Sequence, residues 1–306
     1  ALNKTLKDII VRYHHMAGNE AIYVPGWDTH GLPIEYAVLK DSGEDRANMT
    51  PLELRRKCLA YAKKWIEIQK EDFIRMGVVG DFAHRYVTFD PHLEAKELEV
   101  FGEMANKGYI YKGKKAVYWC THCETALAEA EIEYKDRKSP SIYVKYPMID
   151  VHGLQPEGVD PSKVFAVIWT TTPWTIPANQ ALNVHPEHEY ALVDTPRGLL
   201  VLMVELTEAS LKRFGLEGSI VARANGAKLD KIRFQHPFYD RQSPVFVADY
   251  VGLDAGTGIV HSAPAYGVDD FNSCKANGFT NDDILSPVQS NGVYAESLPF
   301  FGGLHI

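Results

Sequence analysis

Three consecutive threonines, Thr170, Thr171 and Thr172, follow an apolar, β-branched run, Val164–Ile168, and stand just ahead of two prolines, Pro173 and Pro177. The run predicts a buried strand. Pro173 cannot donate to a ladder, so pairing should stop there and the backbone should turn. Hydroxyls gathered at a strand end, with the Trp174 indole and the Asn179 amide close by, are suited to lining a small polar pocket. A plain Thr-rich strand edge is the competing reading of the same residues.

Three other stretches carry candidate chemistry. In Gly256–Phe271 a strand is predicted to end at His261, a loop passes Pro264 and Gly267, and a helix begins near Asp269. His261 and Asp270 could face a ligand there; a packed histidine and a helix-capping carboxylate are the plain alternatives. In Ile22–Glu35 a strand-like start leads into a Gly/Pro-punctuated loop containing Asp28 and His30. Loops at strand ends hold ligands in open α/β sheets, although a satisfied loop hydrogen bond would explain the pair equally well. Finally, Trp119-Cys120-Thr121-His122-Cys123 is a Cys-x-x-Cys knuckle behind a short strand. Cys120 and Cys123 read as half of a zinc site, as a thioredoxin-like redox pair preceding a helix over 125–130, or as two inert thiols.

The elements that position these residues fall into two textures. Residues 1–16 have helical spacing without an N-cap, as if the chain opened inside an element of a longer protein. Thr50-Pro51-Leu52-Glu53 is a capping box that starts a helix running to Gly77, and Asp90-Pro91 starts another running to Gly108. From about residue 140 short β-rich runs take over: Ser141–Tyr146, Val164–Thr170, Tyr190–Val193, Leu199–Val204, Ser219–Ala222, Val245–Tyr250 and Gly258–His261, with one helix near Thr207–Phe214. The expectation is an α/β part over 1–140 and a compact, mostly antiparallel β domain over 141–306.

Composition narrows the class. The chain has 306 residues, 45% hydrophobic and 24% charged, as in an ordinary globular protein. No apolar run reaches the roughly 18–20 residues that span a bilayer, and no signal peptide is evident. Four cysteines make no disulfide framework and fit a reducing cytoplasm. A net charge of −8 argues against non-specific nucleic-acid binding by bulk electrostatics.

Taken together, the motifs resemble the isoleucyl-tRNA synthetases along nearly the whole chain. Pro25-Gly26-Trp27-Asp28-Thr29-His30-Gly31-Leu32-Pro33-Ile34-Glu35 is similar to a loop of that family's aminoacylation domain. Trp169–Asn179 and Gly258–Asp270 are similar to the two defining stretches of its editing domain. Valyl and leucyl relatives carry an Arg and an acidic residue where this chain has Thr172 and Trp174. The His-x-Gly-His and Lys-Met-Ser-Lys-Ser signatures, the anticodon-binding domain and a second Cys pair are not in this sequence.

The resemblance implies a partial Rossmann-like class I catalytic domain carrying an inserted, β-barrel-like editing domain that lacks its last helix. It implies a cytoplasmic, monomeric parent that uses ATP to join isoleucine to tRNA(Ile), with zinc at Cys120 and Cys123 in the full-length protein. This part would edit valine, as adenylate or as valyl-tRNA, without needing a cofactor and without carrying out aminoacylation. Asp270 would hold the substrate ammonium, and His261 and Trp174 would bound the side chain. Thr170, Thr171 and Thr172 would orient the ester, the terminal ribose or an attacking water, Asn179 would brace the loop, and Asp28 would serve the aminoacylation half. Attack by water without a covalent intermediate is expected. A thiol–disulfide protein built on Cys120 and Cys123, and a non-catalytic tRNA-binding fragment, are the rival classes.

Overall fold

The computed structural model describes residues 2–44, 46–149 and 159–306. The chain divides into two compact units, Ala1–Lys112 and Gly113–Ile306. The division falls ahead of the change in texture near residue 140, so the Cys-x-x-Cys segment clusters with the second unit.

Helices make up most of the first unit: α1 (Leu2–Met16), α2 (Leu32–Ser42), α3 (Pro51–Arg75) and α4 (Pro91–Asn106). The capping box forms as its sequence predicts. Thr50 Oγ1 accepts the Glu53 amide at 3.3 Å, and the Glu53 carboxylate accepts the Thr50 amide at 2.8 Å. Gly77 lies at φ 85° just past α3, the left-handed position that a C-terminal glycine serves. The strand-like Ile22–Val24 forms no ladder. Only Gly26–Trp27 (β1) pairs, in parallel, with Tyr86–Val87 (β2), leaving Ile22 and Val24 exposed. Trp27 Nε1 donates to Gln69 Oε1 at 2.9 Å and the Thr29 amide to Thr88 Oγ1 at 2.8 Å, which anchors the loop after β1.

The second unit opens with a small hairpin, Trp119–Cys120 (β3) against Thr125–Ala126 (β4). Two larger sheets follow. The first contains Ile142–Pro147 (β5), Val164–Thr170 (β6), Glu189–Thr195 (β8), Gly198–Met203 (β9) and Ser219–Asn225 (β10), in the order β10-β8-β9-β6-β5. The second contains Ala181–Val184 (β7), Arg233–Gln235 (β11), Gln242–Val247 (β12) and Ile259–Ser262 (β13), in the order β11-β12-β7-β13. Most pairs are antiparallel; β6 with β9 and β12 with β7 are parallel. Neither sheet closes on itself among the described residues, so two open sheets stand where the barrel was expected. Two helices, α5 (Thr207–Phe214) and α6 (Val268–Ala276), complete the unit.

Burial explains why β6 reads as an unbroken apolar run. Val164, Ala166 and Ile168 enter a core shared with Leu182, Tyr190 and Val245, while Val167 faces the opposite way onto Ala191, Leu200 and Leu202. A strand covered on both faces has no polar side to alternate. Polar contacts then fix what lies beside its end. Thr257 Oγ1 donates to Val167 O at 2.5 Å, the Met203 amide to Thr257 O at 2.9 Å, and the Tyr190 hydroxyl to Gly258 O at 2.7 Å. These bonds seat the approach to β13 against β6 and β9.

Gly258 is the tightest point of that seat. Its φ is 79°, and a Cβ there would lie 2.2 Å from Met203 Cβ. Left-handed strain and overpacking therefore act together, and Gly258→Ala is expected to cost about 2–4 kcal/mol. Urea unfolding of the variant checks this; a loss below about 0.5 kcal/mol, the range of a neutral surface change, would contradict it.

Candidate active site

β6 ends at Thr170, and the chain passes at once into a 3₁₀ turn, Pro173–Ala178. The threonine triplet divides its labour. Thr170 Oγ1 accepts the Thr172 amide at 3.0 Å, so the first hydroxyl shapes the turn, and Thr170 itself is buried. Thr171 and Thr172 make no side-chain hydrogen bond among the described residues, and all three threonines line a cavity of about 490 Å³. His261 and Asp270, far along the chain, line the same cavity.

His261 is pinned at both ring nitrogens. Asn179 Nδ2 donates to Ala181 O at 2.9 Å and reaches His261 Nδ1 at 3.4 Å, while Asn179 Oδ1 accepts the Ser243 hydroxyl at 2.6 Å. Nδ1 is therefore the acceptor, and the proton sits on Nε2. Nε2 lies 3.0 Å from Thr175 Oγ1, which sends its own proton to Thr172 O at 2.8 Å. Burial, with a smaller contribution from the nearby His236, holds the His261 pKa down to about 4. The ring is neutral and fully engaged, so it has no lone pair free to act as a base on a threonine. It bounds the cavity.

Asp270 lies in the first turn of α6. Its Oδ2 accepts the Ala263 amide at 2.9 Å and its Oδ1 the Tyr250 hydroxyl at 3.3 Å. An ionised carboxylate has about four acceptor directions, so capacity for a ligand remains. Burial pushes its carboxyl above the ordinary value, outweighing the bonds from Ala263 and Tyr250 that favour the charged form. The lining holds two carboxylates, Asp254 and Asp270, with no lysine or arginine. Such a wall favours a cationic group.

The other sequence candidates lie elsewhere. Trp174 does not line the cavity; its ring packs edge-on against Tyr266, which does, at a centroid distance of 5.1 Å. Asn179 is fully buried and reaches the cavity only through His261. Asp28 is exposed in the first unit, where its Oδ1 accepts the His30 amide at 3.5 Å. The Cys120 sulfur accepts the Cys123 amide at 3.4 Å, and this bond holds the thiol below its usual range. No group of three or more His, Cys, Asp or Glu is disposed to hold a metal among the described residues. Two sulfurs are half of a tetrahedral zinc site, so the residues present do not fit that ion. The redox reading also needs a helix after Cys123; instead the chain folds back as β4, followed only by a short 3₁₀ turn, Glu129–Glu131.

Sequence reasoning passed over Thr175, Tyr250 and Tyr266 as site residues. Thr175 sat inside the threonine-rich stretch and was visible as a hydroxyl, but its tie to His261 spans 86 positions. Nothing local marks Tyr250 as a partner of Asp270.

A family model for class I tRNA synthetases (I, L, M and V) matches residues 1–256. The chain belongs to the class I tRNA synthetases. Over its whole length it is 55% identical to the isoleucine–tRNA ligase of Aromatoleum aromaticum and 56% identical to that of Ectopseudomonas mendocina, covering 33% and 32% of those proteins. It thus spans about a third of the length of the curated relatives it matches. A solved P. falciparum cytosolic leucyl-tRNA synthetase editing domain overlaps 39% of this chain and 51% of its own, at 12% identity and a TM-score of 0.33. No described helix is long and apolar enough to cross a membrane.

The site carries a pH signature. His236 is also buried, which holds it at about 4. Unfolded histidines protonate near 6.5, so between about 6.5 and 4 the unfolded chain binds more protons than the native one. Stability should fall as pH falls through that window, by up to about 1.4 kcal/mol per ring per pH unit. Asp270, with its folded value raised, acts in the opposite sense, one group against two. Thermal unfolding at pH 7 and pH 4.5 checks the sign: a lower midpoint at pH 4.5 is expected, and an unchanged or higher one would contradict the buried neutral rings.

Proposed function

We propose that the second unit hydrolyses valine wrongly attached to tRNA(Ile), and that the longer protein joins isoleucine to that tRNA using ATP. One observation carries the hydrolytic reading. Free hydroxyls of Thr171 and Thr172, at the end of β6, line the same cavity as Asp270 from α6. Coupled to a 55% identity with isoleucine–tRNA ligases, that cavity is best read as an editing site.

The need for such a site is energetic. Valine lacks one methylene of isoleucine, worth only about 1–3 kcal/mol in a pocket, and this amino-acid pair is the standard illustration of that limit. A second, hydrolytic site can exclude the larger side chain instead. Asp270 takes the α-ammonium as a charge-assisted hydrogen bond inside a partly dry wall. His261 and Tyr266 bound the side chain, with Trp174 acting through Tyr266. Thr171 and Thr172 orient the ester and the attacking water, and positioning together with fixed dipoles supplies the rate. Because His261 cannot activate a hydroxyl, water attacks directly and no acyl-enzyme forms. tRNA and the amino acid are the partners this reading requires. Asp28 serves the aminoacylation half through the substrate ammonium.

Incubation of the chain with valyl-tRNA(Ile) and isoleucyl-tRNA(Ile) tests the proposal. Selective hydrolysis of the valyl ester is expected. Asp270→Ala removes a charged hydrogen bond worth about 2–3 kcal/mol and should slow turnover roughly 30–150-fold. Thr172→Ala should lower kcat more than it raises KM. Full activity in Asp270→Ala would overturn the assignment, and binding of both esters without hydrolysis would favour a non-catalytic tRNA-binding role.

A further inference from the structure

On the side of the threonine turn that does not line the cavity, two side chains from the β11–β12 connection grip successive carbonyl groups. His236 Nε2 lies 2.9 Å from Ile176 O, and Arg241 Nη2 donates to Pro177 O at 2.7 Å. His236 Nδ1 accepts the Phe238 and Tyr239 amides at 3.3 Å and 3.1 Å, so Nε2 carries the proton and is the donor. A third carbonyl of the turn, Trp174 O, accepts the Tyr294 hydroxyl at 2.5 Å. The turn is thus held by groups 60 or more positions away in sequence.

This grip is expensive for the fold. His236 is 2% exposed. Arg241 has no carboxylate at ion-pair distance among the described residues, and it spends a guanidinium donor on a backbone carbonyl. Its Nε and the hydroxyl of the fully buried Tyr146 nearby both lack hydrogen-bond partners among the described residues. Unpartnered buried polar atoms destabilise, and apolar residues would serve stability alone better. Costly polar packing of this kind is explained when it fixes a group that must not move. The group here is the turn itself. Thr175 precedes the gripped Ile176 directly, and its hydroxyl links His261 to Thr172 O.

We infer that His236 and Arg241 are positioning residues of the proposed hydrolytic site, holding the 173–178 turn from behind so that Thr175 clamps His261 and the Thr171 and Thr172 hydroxyls face the cavity. The inference rests on the editing reading above. Neither residue touches substrate.

The test is steady-state hydrolysis of valyl-tRNA(Ile) by the chain, with Asp270→Ala as the control for the reading itself. A misplacement near 1 Å costs on the order of 100-fold in rate, so Arg241→Gln should lower kcat roughly 10–100-fold while KM stays within about twofold. Arg241→Lys keeps a donor for Pro177 O and should recover part of the loss. His236→Gln can still donate to Ile176 O but cannot keep both amides, so an intermediate kcat is expected. Should Arg241→Gln fail to fold, Arg241→Lys and His236→Gln carry the test below their melting temperatures. Folded variants with the kcat of the wild type, altered only in Tm, would overturn the inference and leave the editing reading standing. A wild-type chain that leaves valyl-tRNA intact would overturn both.

Discussion

The second unit depends on one neutral imidazole held in one orientation. Ser243 on β12 donates to Asn179, Asn179 donates to His261 on β13, His261 donates to Thr175, and Thr175 donates to Thr172 O at the end of β6. Each link fixes the direction of the next, so the chain runs only with Nδ1 bare and Nε2 protonated. Adding a second proton breaks the link to Asn179, because Nδ1 then has no lone pair with which to accept. Both large sheets and the turn between β6 and β7 are tied through this ring. That is why a histidine at a strand end, plain in sequence, has such consequences for the shape of the cavity.

Electrostatics assign the remaining roles. With both ring nitrogens of His261 engaged, the ring has no lone pair free to take a proton from a threonine. The triplet is not uniform. Thr170 Oγ1 accepts an amide of its own turn, while Thr171 and Thr172 make no side-chain hydrogen bond among the described residues, and all three line the cavity. Opposite them, Asp270 carries the cost of burial without a cation in the wall. In the proposed editing reading a substrate ammonium supplies the missing charge, so binding and neutralisation are one event. An ester whose amine is blocked cannot offer it.

Much of this was legible because local rules act locally. The β-branched run, the prolines at 173 and 177, the capping box at Thr50 and the helix at Thr207–Phe214 each need only neighbouring residues. The failures share a different cause. Ala181–Val184 escaped notice as a strand because Asn183 interrupts its pattern; its side chain donates to Ser273 Oγ at 2.6 Å, a partner far along the sequence. Ile22–Val24 looked like a strand but finds no ladder partner among the described residues. The segment after Cys123 looked helical, yet pairing of Trp119 with Ala126 turns it back. Trp174, expected to bound the substrate side chain, lies one ring behind the lining, packed edge-on against Tyr266. His236, Arg241 and Tyr250 act across the fold, and no local pattern could have named them. The barrel-like form was an expectation carried by family resemblance, and among the described residues the strands form two sheets that do not close.

In the proposed editing site Asp270 recognises an ammonium in a cavity walled by the threonine turn. A binding cycle with a non-hydrolysable amide analogue, valyl-aminoadenosine, tests it most directly. Its affinity for the chain would be compared with that of its N-acetylated form, and both measured again on Asp270→Asn. A roughly 30–150-fold loss on acetylation is expected, with a similar loss on substitution and little further loss when the two are combined, because both remove one charged contact. Equal affinities of the free and acetylated analogues for the unaltered chain would contradict it.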